Sequence, residues 1–422
     1  MDSERLSAVK GTRDILPPEI AIWQRIEATA RRWFDLAGYQ EIRTPILEVT
    51  ELFVRSIGTA TDVVGKEMFS FTTRGEQEVS LRPENTAGVM RAYVQHHLHS
   101  QGDVQRLWYS GPMFRYERPQ AGRQRQFHQL GVEVLGAADP RADAEVIALA
   151  WQLLQSLGVT DLRLLINSLG IPADRLAYRQ ALLDYLTPYR EQLDADSQER
   201  LQRNPLRILD SKDPATQAIV RQAPKLLDHL SPQSLEHFQQ VQSYLDKLAI
   251  PYEIDPKLVR GLDYYTHTAF EIQAVADLGS QNTVCGGGRY DGLAVELGGA
   301  PTPAVGWALG MERLVLLLQK RFGDPVLPGP RVYVVSRGEV TAAVSLQVAQ
   351  SLWQAGIPAE VDLSGSAFGK QMKRASRKQA LWAVIIGEEE VAAGVLQVKQ
   401  LATGEQVRVA MADLVAYLGE QG

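Results

Sequence analysis

The sequence predicts an α+β protein with more than one domain, because its 422 residues exceed the ~150 that one domain usually holds. Three patterns predict this class. Residues 114–136 alternate polar and apolar side chains, as the two strands of an antiparallel hairpin do. Residues 172–250 change to helical periodicity and are rich in Gln, Leu and Asp. From residue 331, strand-like and helix-like segments alternate, which indicates a small α/β module with a mainly parallel sheet.

Shorter elements precede the hairpin. After Pro17-Pro18, apolar residues recur at helical spacing up to Gly38, which is typical of a helix that ends there. The next segment predicts a short strand, bent by a proline, and then a helix start. Residues 79–98 predict a strand, a proline break and a helix that opens at Asn85 or Thr86.

The hairpin has one polar and one apolar face on its second strand. The first face holds Phe127, Gln129, Gly131 and Glu133, and the second holds His128, Leu130, Val132 and Val134. Arg115 and Glu117 share a face of the first strand. A polar face on a central strand is costly to bury without partners, and Gly131 leaves room beside it, so we interpret this face as a ligand site. The alternative is a solvated face of an antiparallel sheet.

Beyond the hairpin, a helix is predicted for about 142–157 and a strand for 162–169. Strand-type sequence resumes after the helical insertion, and a further helix is predicted for 311–321. The stretch FGDPVLPGP at 322–330 is rich in Pro and Gly, which indicates a domain boundary.

Composition excludes several classes of protein. The charged N-terminal residues 1–14 contain no apolar run, which predicts neither a signal peptide nor a membrane span. Cys285 is the only cysteine, so we expect no disulfide within the chain, no thiolate zinc site and a reducing, cytoplasmic location. We interpret His96, His97 and His99 as a surface cluster rather than a metal site. The net charge of −6 argues only mildly against a nucleic-acid partner, because local basic patches decide such binding.

Two loops place charges beside predicted strands. Glu84 precedes a helix, where a carboxylate ordinarily caps the helix, but its place at a strand end matches that of Arg115 and favours a ligand role. Arg260 stands before a glycine in a loop. It either forms an ion pair with Asp263 or directs a fixed positive charge into the same cavity, where it would stabilise phosphoryl charge.

Two other segments point to anions. CGGGRYDGL, at 285–293, sets three glycines before an exposed-looking Arg-Tyr-Asp. Glycine-rich turns let the backbone approach a phosphate, although this stretch matches neither GxGxxG nor a Walker loop. Arg313 falls in the first turn of a predicted helix, where a cation is unfavourable to the helix dipole. That misfit indicates an anionic partner.

A basic helical face is predicted in the C-terminal module. Its members recur at i, i+3, i+4, i+7 and i+8 and are Lys370, Lys373, Arg374, Arg377 and Lys378. No acidic residue lies among them, and like charges so placed repel. We interpret the face as a surface for RNA or phosphate, with an ordinary solvated face as the alternative.

Taken together, these stretches resemble histidyl-tRNA synthetases of the bacterial type, which are class II aminoacyl-tRNA synthetases, over essentially the whole chain. About 38–48 (GYQEIRTPILE) is similar to motif 1, about 107–136 to motif 2 with its loop, and about 304–316 (AVGWALGMERL) to motif 3. RGLDYYT and GGGRYDGL are more specific, because they are particular to the histidine family.

The resemblance implies an organisation. Residues 1–325 would form a catalytic domain with an antiparallel six-stranded sheet flanked by helices, into which the helical residues 172–250 are inserted. Residues 326–330 would be a linker and 331–422 an α/β anticodon-binding domain. The family also implies a homodimer. Asn85 stands where glycine is frequent in bacterial members, and His267 where a longer basic residue is common.

The resemblance also implies roles for residues. For histidine these are Glu84, Asn85, Thr86, Arg115, Gln129, Glu133, Arg260, Tyr264, Tyr265 and Tyr290; for ATP they are Arg115, Glu117, Arg123 and Arg313. The catalytic pair would be Arg115 and Arg260, on opposite sides of the α-phosphate. Contacts with tRNA would come from Arg118, Gln120, Lys370, Lys373, Arg374 and Arg377.

The implied reaction is ATP-dependent ligation of L-histidine to the 3′ end of tRNA(His) through a histidyl-adenylate, with Mg²⁺ neutralising the outer phosphates. A different class stands as the alternative, namely a non-catalytic relative that regulates ATP phosphoribosyltransferase. Such proteins tend to lose the arginine set and the anticodon-binding module, whereas Arg115, Arg260 and Arg313 are all present here. An RNA-binding protein with a vestigial site is a further alternative.

Overall fold

A computed structural model describes residues 6–58, 61, 63–102, 104–118, 120, 122–203, 205–259, 262, 264–275 and 282–421. The chain divides into two compact units, Met1–Pro325 and Val326–Gly422.

The strands of the first unit are β1 (Gln40–Glu41), β2 (Leu47–Val49), β3 (Phe69–Thr72), β4 (Glu78–Leu81), β5 (Gln105–Phe114), β6 (Gln126–Leu135), β7 (Leu162–Ser168), β8 (Glu253–Ile254), β9 (Thr266–Ala274), β10 (Thr283–Arg289) and β11 (Ala304–Gly310). Its helices are α1 (Ile20–Leu36), α2 (Thr50–Ile57), α3 (Thr86–Gln95), α4 (Arg141–Ser156), α5 (Pro172–Leu186), α6 (Ala195–Arg203), α7 (Pro214–Val220), α8 (Pro232–Lys247), α9 (Leu293–Glu296) and α10 (Met311–Phe322).

Among the described residues, the main sheet has eight strands in the order β1-β5-β6-β11-β10-β9-β7-β8. The six from β5 to β7 pair antiparallel. The edge strands β1 and β8 pair parallel to their neighbours. The prediction of six antiparallel strands is therefore wrong for the whole sheet, which is mixed. The edge strands have two residues each, too few to show an alternation in sequence.

One face of the sheet is covered by helices. The apolar face of β6 packs against α1, α4 and α10 in a single core that includes Ile26, Val132, Leu154 and Leu318. Helix α1 ends before Gly38, whose φ of 76° suits a glycine after a helix.

The segment predicted as a helical insertion is helical, but its last helix does not stand apart. Phe238, Val241 and Leu245 of α8 lie in the same core as α4. The earlier helices belong to a second core, which includes Tyr178 and Leu182 of α5. Sequence periodicity detects a helix but not the partner against which its apolar side packs, so α8 could not be assigned from the pattern.

The second unit contains β12 (Val332–Ser336), α11 (Glu339–Gln354), β13 (Ala359–Val361), α12 (Phe368–Arg377), β14 (Trp382–Ile386), α13 (Glu388–Ala393), β15 (Val395–Gln400), β16 (Gln406–Ala410) and α14 (Leu414–Glu420). Its sheet order is β13-β12-β14-β15-β16. The first three strands are parallel, but β15 and β16 are antiparallel. The prediction of a mainly parallel sheet is thus only half right, because the connections after β14 are too short for parallel crossovers.

Candidate active site

A cavity of about 250 Å³ opens on the face of the main sheet opposite the α1, α4 and α10 core. Ten residues of the sequence-predicted site line it: Glu84, Thr86, Arg115, Glu117, Arg123, Gln129, Tyr264, Tyr265, Tyr290 and Arg313. They come from separate parts of the chain, which the antiparallel order of β6, β11 and β10 brings side by side.

The two faces of β6 behave as the alternation predicts. Leu130, Val132 and Val134 are fully buried in the core, and Gln129 lines the cavity on the other side. The side-chain oxygen of Gln129 is buried without a hydrogen-bond partner among the described residues. A buried acceptor without a donor is costly, so this oxygen is suited to a ligand N–H.

The sequence suggested that Gly131 leaves room for a ligand, but in the structure it does not. The ring of Tyr109 occupies the space that a Cβ at Gly131 would need. Gly306 on β11 is required for a similar reason, because a Cβ there would collide with the carboxylate of Glu133. Both glycines therefore serve close packing beneath the cavity.

Glu133 lies one layer behind the cavity lining and is 1% exposed. Its carboxylate accepts from the Thr86 hydroxyl at 2.7 Å and from the Tyr290 hydroxyl. Burial raises the pKa of Glu133 to about 8, although these hydroxyl donors oppose the shift. No guanidinium or ammonium group is among the contacts that the structure gives this carboxylate within the described residues.

Glu84 combines the two roles that the sequence left as alternatives. Its carboxylate accepts the backbone N–H groups of Thr86 at 2.7 Å and Ala87 at 3.0 Å, where α3 begins. It also lines the cavity. Burial raises its pKa above the ordinary value, against the effect of those two N–H groups. The cap fixes the carboxylate in place, and the charge of Arg115 nearby also lowers its pKa.

Three arginines line the same cavity. Arg115 donates from Nε to the Pro83 carbonyl at 2.9 Å and lies 5.3 Å from the centre of the Phe127 ring. Arg123 pairs with Glu117 at 3.1 Å. Arg313 donates to the Thr283 carbonyl, and burial, with the charge of Arg123, lowers its pKa.

The first strand of the hairpin lies earlier in the chain than predicted. It ends at Phe114, so Arg115 and Glu117 lie in the following loop rather than on a strand face. Within that loop the backbone of Gln120 pairs with Arg123. A loop of successive charged residues gives no sequence signal for where the ladder stops.

Some predicted site residues lie elsewhere. The side-chain oxygen of Asn85 accepts from Thr44 at 2.6 Å and from Arg82 at 3.2 Å, and Asn85 is not part of the cavity lining. Arg118 and Gln120 are also outside the lining. Arg260 lies outside the described residues, as does Asp263, its alternative partner.

In the Arg-Tyr-Asp triplet after the glycines, Arg289 and Tyr290 are buried rather than exposed as the sequence suggested, and Asp291 is partly exposed. Arg289 is 0% exposed, and its guanidinium binds both oxygens of Asp143 and the Ala137 carbonyl at 2.8 Å. Tyr290 is 2% exposed and binds Glu133 instead. Burial would raise the pKa of Asp143, but the charges and hydrogen bonds of Arg289 and His237 together outweigh it and hold that pKa well below its usual range.

Several lining residues were not singled out from the sequence. Gln124, Phe127, Thr283, Cys285 and Glu312 all border the cavity. Phe127 was placed on the correct face, but an aromatic ring on a strand is ordinarily a core residue. Glu312 directly precedes Arg313 in the first turn of α10. The position of Arg313 at a helix start predicted a ligand site there, and the same position could have identified Glu312.

The basic face of α12 is partly neutralised. Arg374 forms a two-point ion pair with Asp362 at 2.7 and 3.0 Å, and Lys378 pairs with Glu360. Helical geometry sets these two beside the buried Gln371, whereas Lys370, Lys373 and Arg377 lie farther round and are exposed. The helix pattern could not show these two acidic partners, because they come from the neighbouring strand β13 and its end.

Neither a metal cluster nor a membrane span is found in the part of the chain that the structure describes. Within it, no three His, Cys, Asp or Glu side chains converge as metal ligands would. His96, His97 and His99 are exposed there, as expected. None of the helices in the described ranges has the length and apolar character needed to cross a bilayer.

An antiparallel sheet that carries arginines and buried carboxylates in one cavity is the catalytic arrangement of class II aminoacyl-tRNA synthetases. A family model described as "Histidyl-tRNA synthetase" matches residues 11–314, and one described as "Anticodon binding domain" matches 331–421. The chain belongs to the histidyl-tRNA synthetase family.

Named relatives agree with the family models. The chain is 69% identical to "Histidine--tRNA ligase" of Synechococcus sp. (strain JA-3-3Ab), over 99% of this chain and 100% of the relative. It is 62% identical to the protein of that name from Thermosynechococcus vestitus, over 97% and 96%. Among solved structures, apo S. aureus histidyl-tRNA synthetase is 36% identical, with a TM-score of 0.82 over 98% of this chain and 99% of that one.

Proposed function

We propose that the chain is an ATP-dependent ligase that joins L-histidine to the 3′ end of tRNA(His) through a histidyl-adenylate, releasing AMP and pyrophosphate. The observation that carries this function is a single cavity lined both by acceptors for an amino acid and by three arginines for phosphates. Relatives of 69% and 62% identity named "Histidine--tRNA ligase" favour the ligase over a regulatory subunit of ATP phosphoribosyltransferase.

Histidine would bind at the carboxylates. Glu84 and the unpaired oxygen of Gln129 are acceptors for its α-ammonium group, with Thr86 beside them. Glu133 would recognise the imidazole together with Tyr265. The hydroxyls of Thr86 and Tyr290 hold the Glu133 carboxylate for that role. An apolar side chain would leave these buried groups unpaired, which is a strong form of rejection.

ATP would bind at the arginines. In adenylate formation the histidine carboxylate attacks the α-phosphorus in line, and negative charge grows on the non-bridging oxygens. Arg115, held by the Pro83 carbonyl, is placed to stabilise that charge, and Arg123 and Arg313 would hold the outer phosphates. Because these groups are already in position, little reorganisation accompanies the reaction.

Mg²⁺ would accompany ATP rather than occupy a protein cage. The ion typically takes phosphate oxygens, water and one or two carboxylates. Glu117 lines the cavity beside Arg123, with which it pairs at 3.1 Å, so its carboxylate fits such a role. When bound, the ion would neutralise charge on the β- and γ-phosphates.

The other parts of the chain would serve tRNA and assembly. Residues 1–325 would be catalytic and 331–422 would bind the anticodon, with Lys370, Lys373 and Arg377 on the RNA side and Arg118 and Gln120 near the acceptor end. Support for a homodimer comes from the sheet β2-β4-β3, where Val49, Val79 and Phe71 are opposed and the outer two are exposed. The cytoplasm would be the site of action.

The deciding experiment is ATP–pyrophosphate exchange with each of the amino acids in turn. Histidine alone should support exchange. Every amino acid has an ammonium group for the first acceptors, but only histidine also brings an imidazole N–H for the buried carboxylate behind them. Exchange with another amino acid, or with none, would contradict the proposed function.

Arg260 is proposed as the second catalytic arginine on the basis of the RGLDYYT stretch. Arg260→Ala should reduce histidine-dependent exchange by about 10³-fold, the scale of losing one preorganised donor. Thermal unfolding should be unchanged. Exchange retained near the wild-type rate would refute the role.

A further inference from the structure

The hydrogen-bond ladder between β6 and β11 stops where the chain turns into α10. Its last pair is Gln129 with Gly310, and α10 begins at the very next residue, Met311. The residue before Gln129 on β6 is His128. It is paired with Pro112 of β5 on one side, but on the other side the ladder with β11 has already ended. A backbone N–H group is rarely left unpaired inside a protein.

The carboxylate of Glu312 replaces the missing strand. Its two oxygens lie 3.0 and 2.9 Å from the backbone nitrogen of His128. One oxygen also lies 2.9 Å from Nδ1 of the His128 ring, so the tautomer protonated there donates to it. The Glu312 side chain is 8% exposed, and that of His128 is 25% exposed. The opposite side of the imidazole meets the Trp23 ring edge to face, 5.0 Å between centres.

This contact joins two elements that carry different parts of the cavity. Phe127 and Gln129, on either side of His128, line it from β6. Arg313, directly after Glu312, lines it from the first turn of α10. The Glu312–His128 contact therefore sets the distance between the guanidinium on α10 and the acceptor on β6.

We infer that Glu312 is a positioning residue that holds Arg313 in place for the phosphates of ATP, with His128 as its anchor. The inference rests on the proposed function. It assigns the main effect to ATP rather than histidine, because the two elements are held unequally. Gln129 remains paired with Gly111 of β5 and Gly310 of β11, whereas the N–H groups in the first turn of a helix have no acceptors within it.

The charge at Glu312 also relieves the misfit of Arg313. A cation in the first turn of α10 is unfavourable to the helix dipole, and a carboxylate there is favourable. Arg313 is mostly buried beside Arg123, whose charge opposes it. The carboxylates whose charges act on Arg313 itself are Glu117 and Glu271, so the favourable effect of Glu312 here is on the start of α10.

The experiment measures KM for ATP and for histidine separately in pyrophosphate exchange. Glu312→Ala should lower kcat/KM for ATP by about 100-fold, the cost of misplacing a binding group by about 1 Å, while KM for histidine changes less than about 2-fold. His128→Phe keeps the backbone N–H and the ring but removes Nδ1, and should give an intermediate loss. His128→Asn restores a donor near Nδ1 and should recover most of it.

A matched control separates positioning from folding. Glu145 accepts from Arg106 at 2.8 Å and from Tyr39 at 3.0 Å, outside the cavity. Glu145→Ala should lower the unfolding temperature without changing either KM. Should Glu312→Ala change both KM values equally, or neither, the inference is wrong; so it is if His128→Asn behaves like His128→Phe. Loss of histidine-dependent exchange in the unaltered protein would instead refute the proposed function.

Discussion

Glu133 and Asp143 are buried to nearly the same degree, at 1% and 0% exposure, yet their pKa values are shifted in opposite directions. Burial raises the pKa of Glu133 to about 8, and the hydroxyls of Thr86 and Tyr290 oppose that shift without cancelling it. Burial acts on Asp143 as well, but Arg289 and His237 together outweigh it and lower the pKa. Asp143 thus has its charged partner within the fold. Among the residues that the structure describes, Glu133 contacts only hydroxyl groups, which leaves it suited to a ligand that donates hydrogen bonds.

The largest effect on stability is expected when the buried ion pair between Asp143 and Arg289 is broken. Asp143→Ala should lower the free energy of unfolding by about 3 kcal/mol, because the buried Arg289 would keep only its longer pair with Asp291, at 3.3 Å. Urea denaturation measures this. Asp139→Ala is the control, since its pair with Arg141 is at the surface and should matter little. Equal losses in the two variants would mean that burial does not distinguish them.

A substitution at Glu133 should have the reverse pattern, with little change in stability and a large loss of activity. Glu133→Gln keeps the shape and should leave stability within about 1 kcal/mol of the original. It should lower kcat/KM for histidine by about 100-fold, because a buried group that loses its hydrogen bond costs up to about 3 kcal/mol. Steady-state exchange measures the change, with KM for ATP as the internal control. An unchanged histidine constant would remove Glu133 from the substrate site.

The pH dependence of stability sharpens the comparison further. The folded protein retains a proton on Glu133 up to about pH 8, whereas the unfolded chain releases it near the ordinary value of 4.5. Stability from this group is therefore fully present below 4.5 and is lost as pH rises through about 8, at up to about 1.4 kcal/mol per pH unit.

Unfolding measured between about pH 6 and about pH 8 should show a steeper slope in the unaltered protein than in Glu133→Gln, where the raised pKa of Glu84 still contributes. The lowered pKa of Asp143 has the opposite sign, since its stabilisation is present above the ordinary value and is lost only as pH falls below it. Identical pH profiles for the two proteins would show that Glu133 is not protonated in the empty site.

The smallest effects are expected on α12, where the same contrast holds for cations. Arg374 is paired with Asp362, whereas Lys373 and Arg377 are exposed. Replacing Lys373 and Arg377 with Ala should weaken tRNA binding and lower the slope of log affinity against log salt by ~1 for each lost phosphate contact. Adenylate formation should remain intact.

Arg374→Ala serves as the paired control on the same helix. It should destabilise the C-terminal unit, because Asp362 would lose its partner, and should change the salt slope least. A larger change in slope for Arg374→Ala than for the double variant would place the RNA surface on the other side of α12.

Much of the candidate site could be predicted from local pattern. Alternation on β6 separates Gln129 from Leu130 because neighbouring side chains on a strand must point to opposite faces. Arg313 was identifiable because a cation at a helix start conflicts with the dipole. The predictions that failed concern space and partners. Tyr109 fills the gap at Gly131, and Arg289 is buried against a residue 146 positions away.

By itself the sequence determined the family, the alternating faces of the hairpin and the arginines that line the cavity, because motifs and periodicity depend only on near neighbours along the chain. Only the tertiary structure decided which charged side chains are neutralised by an ion pair. It paired Arg289 with Asp143 and Arg374 with Asp362, and it left Glu133 among hydroxyls. The reason is physical: the charge state of a buried group depends on what the fold places within a few ångströms of it, and those neighbours are remote in sequence.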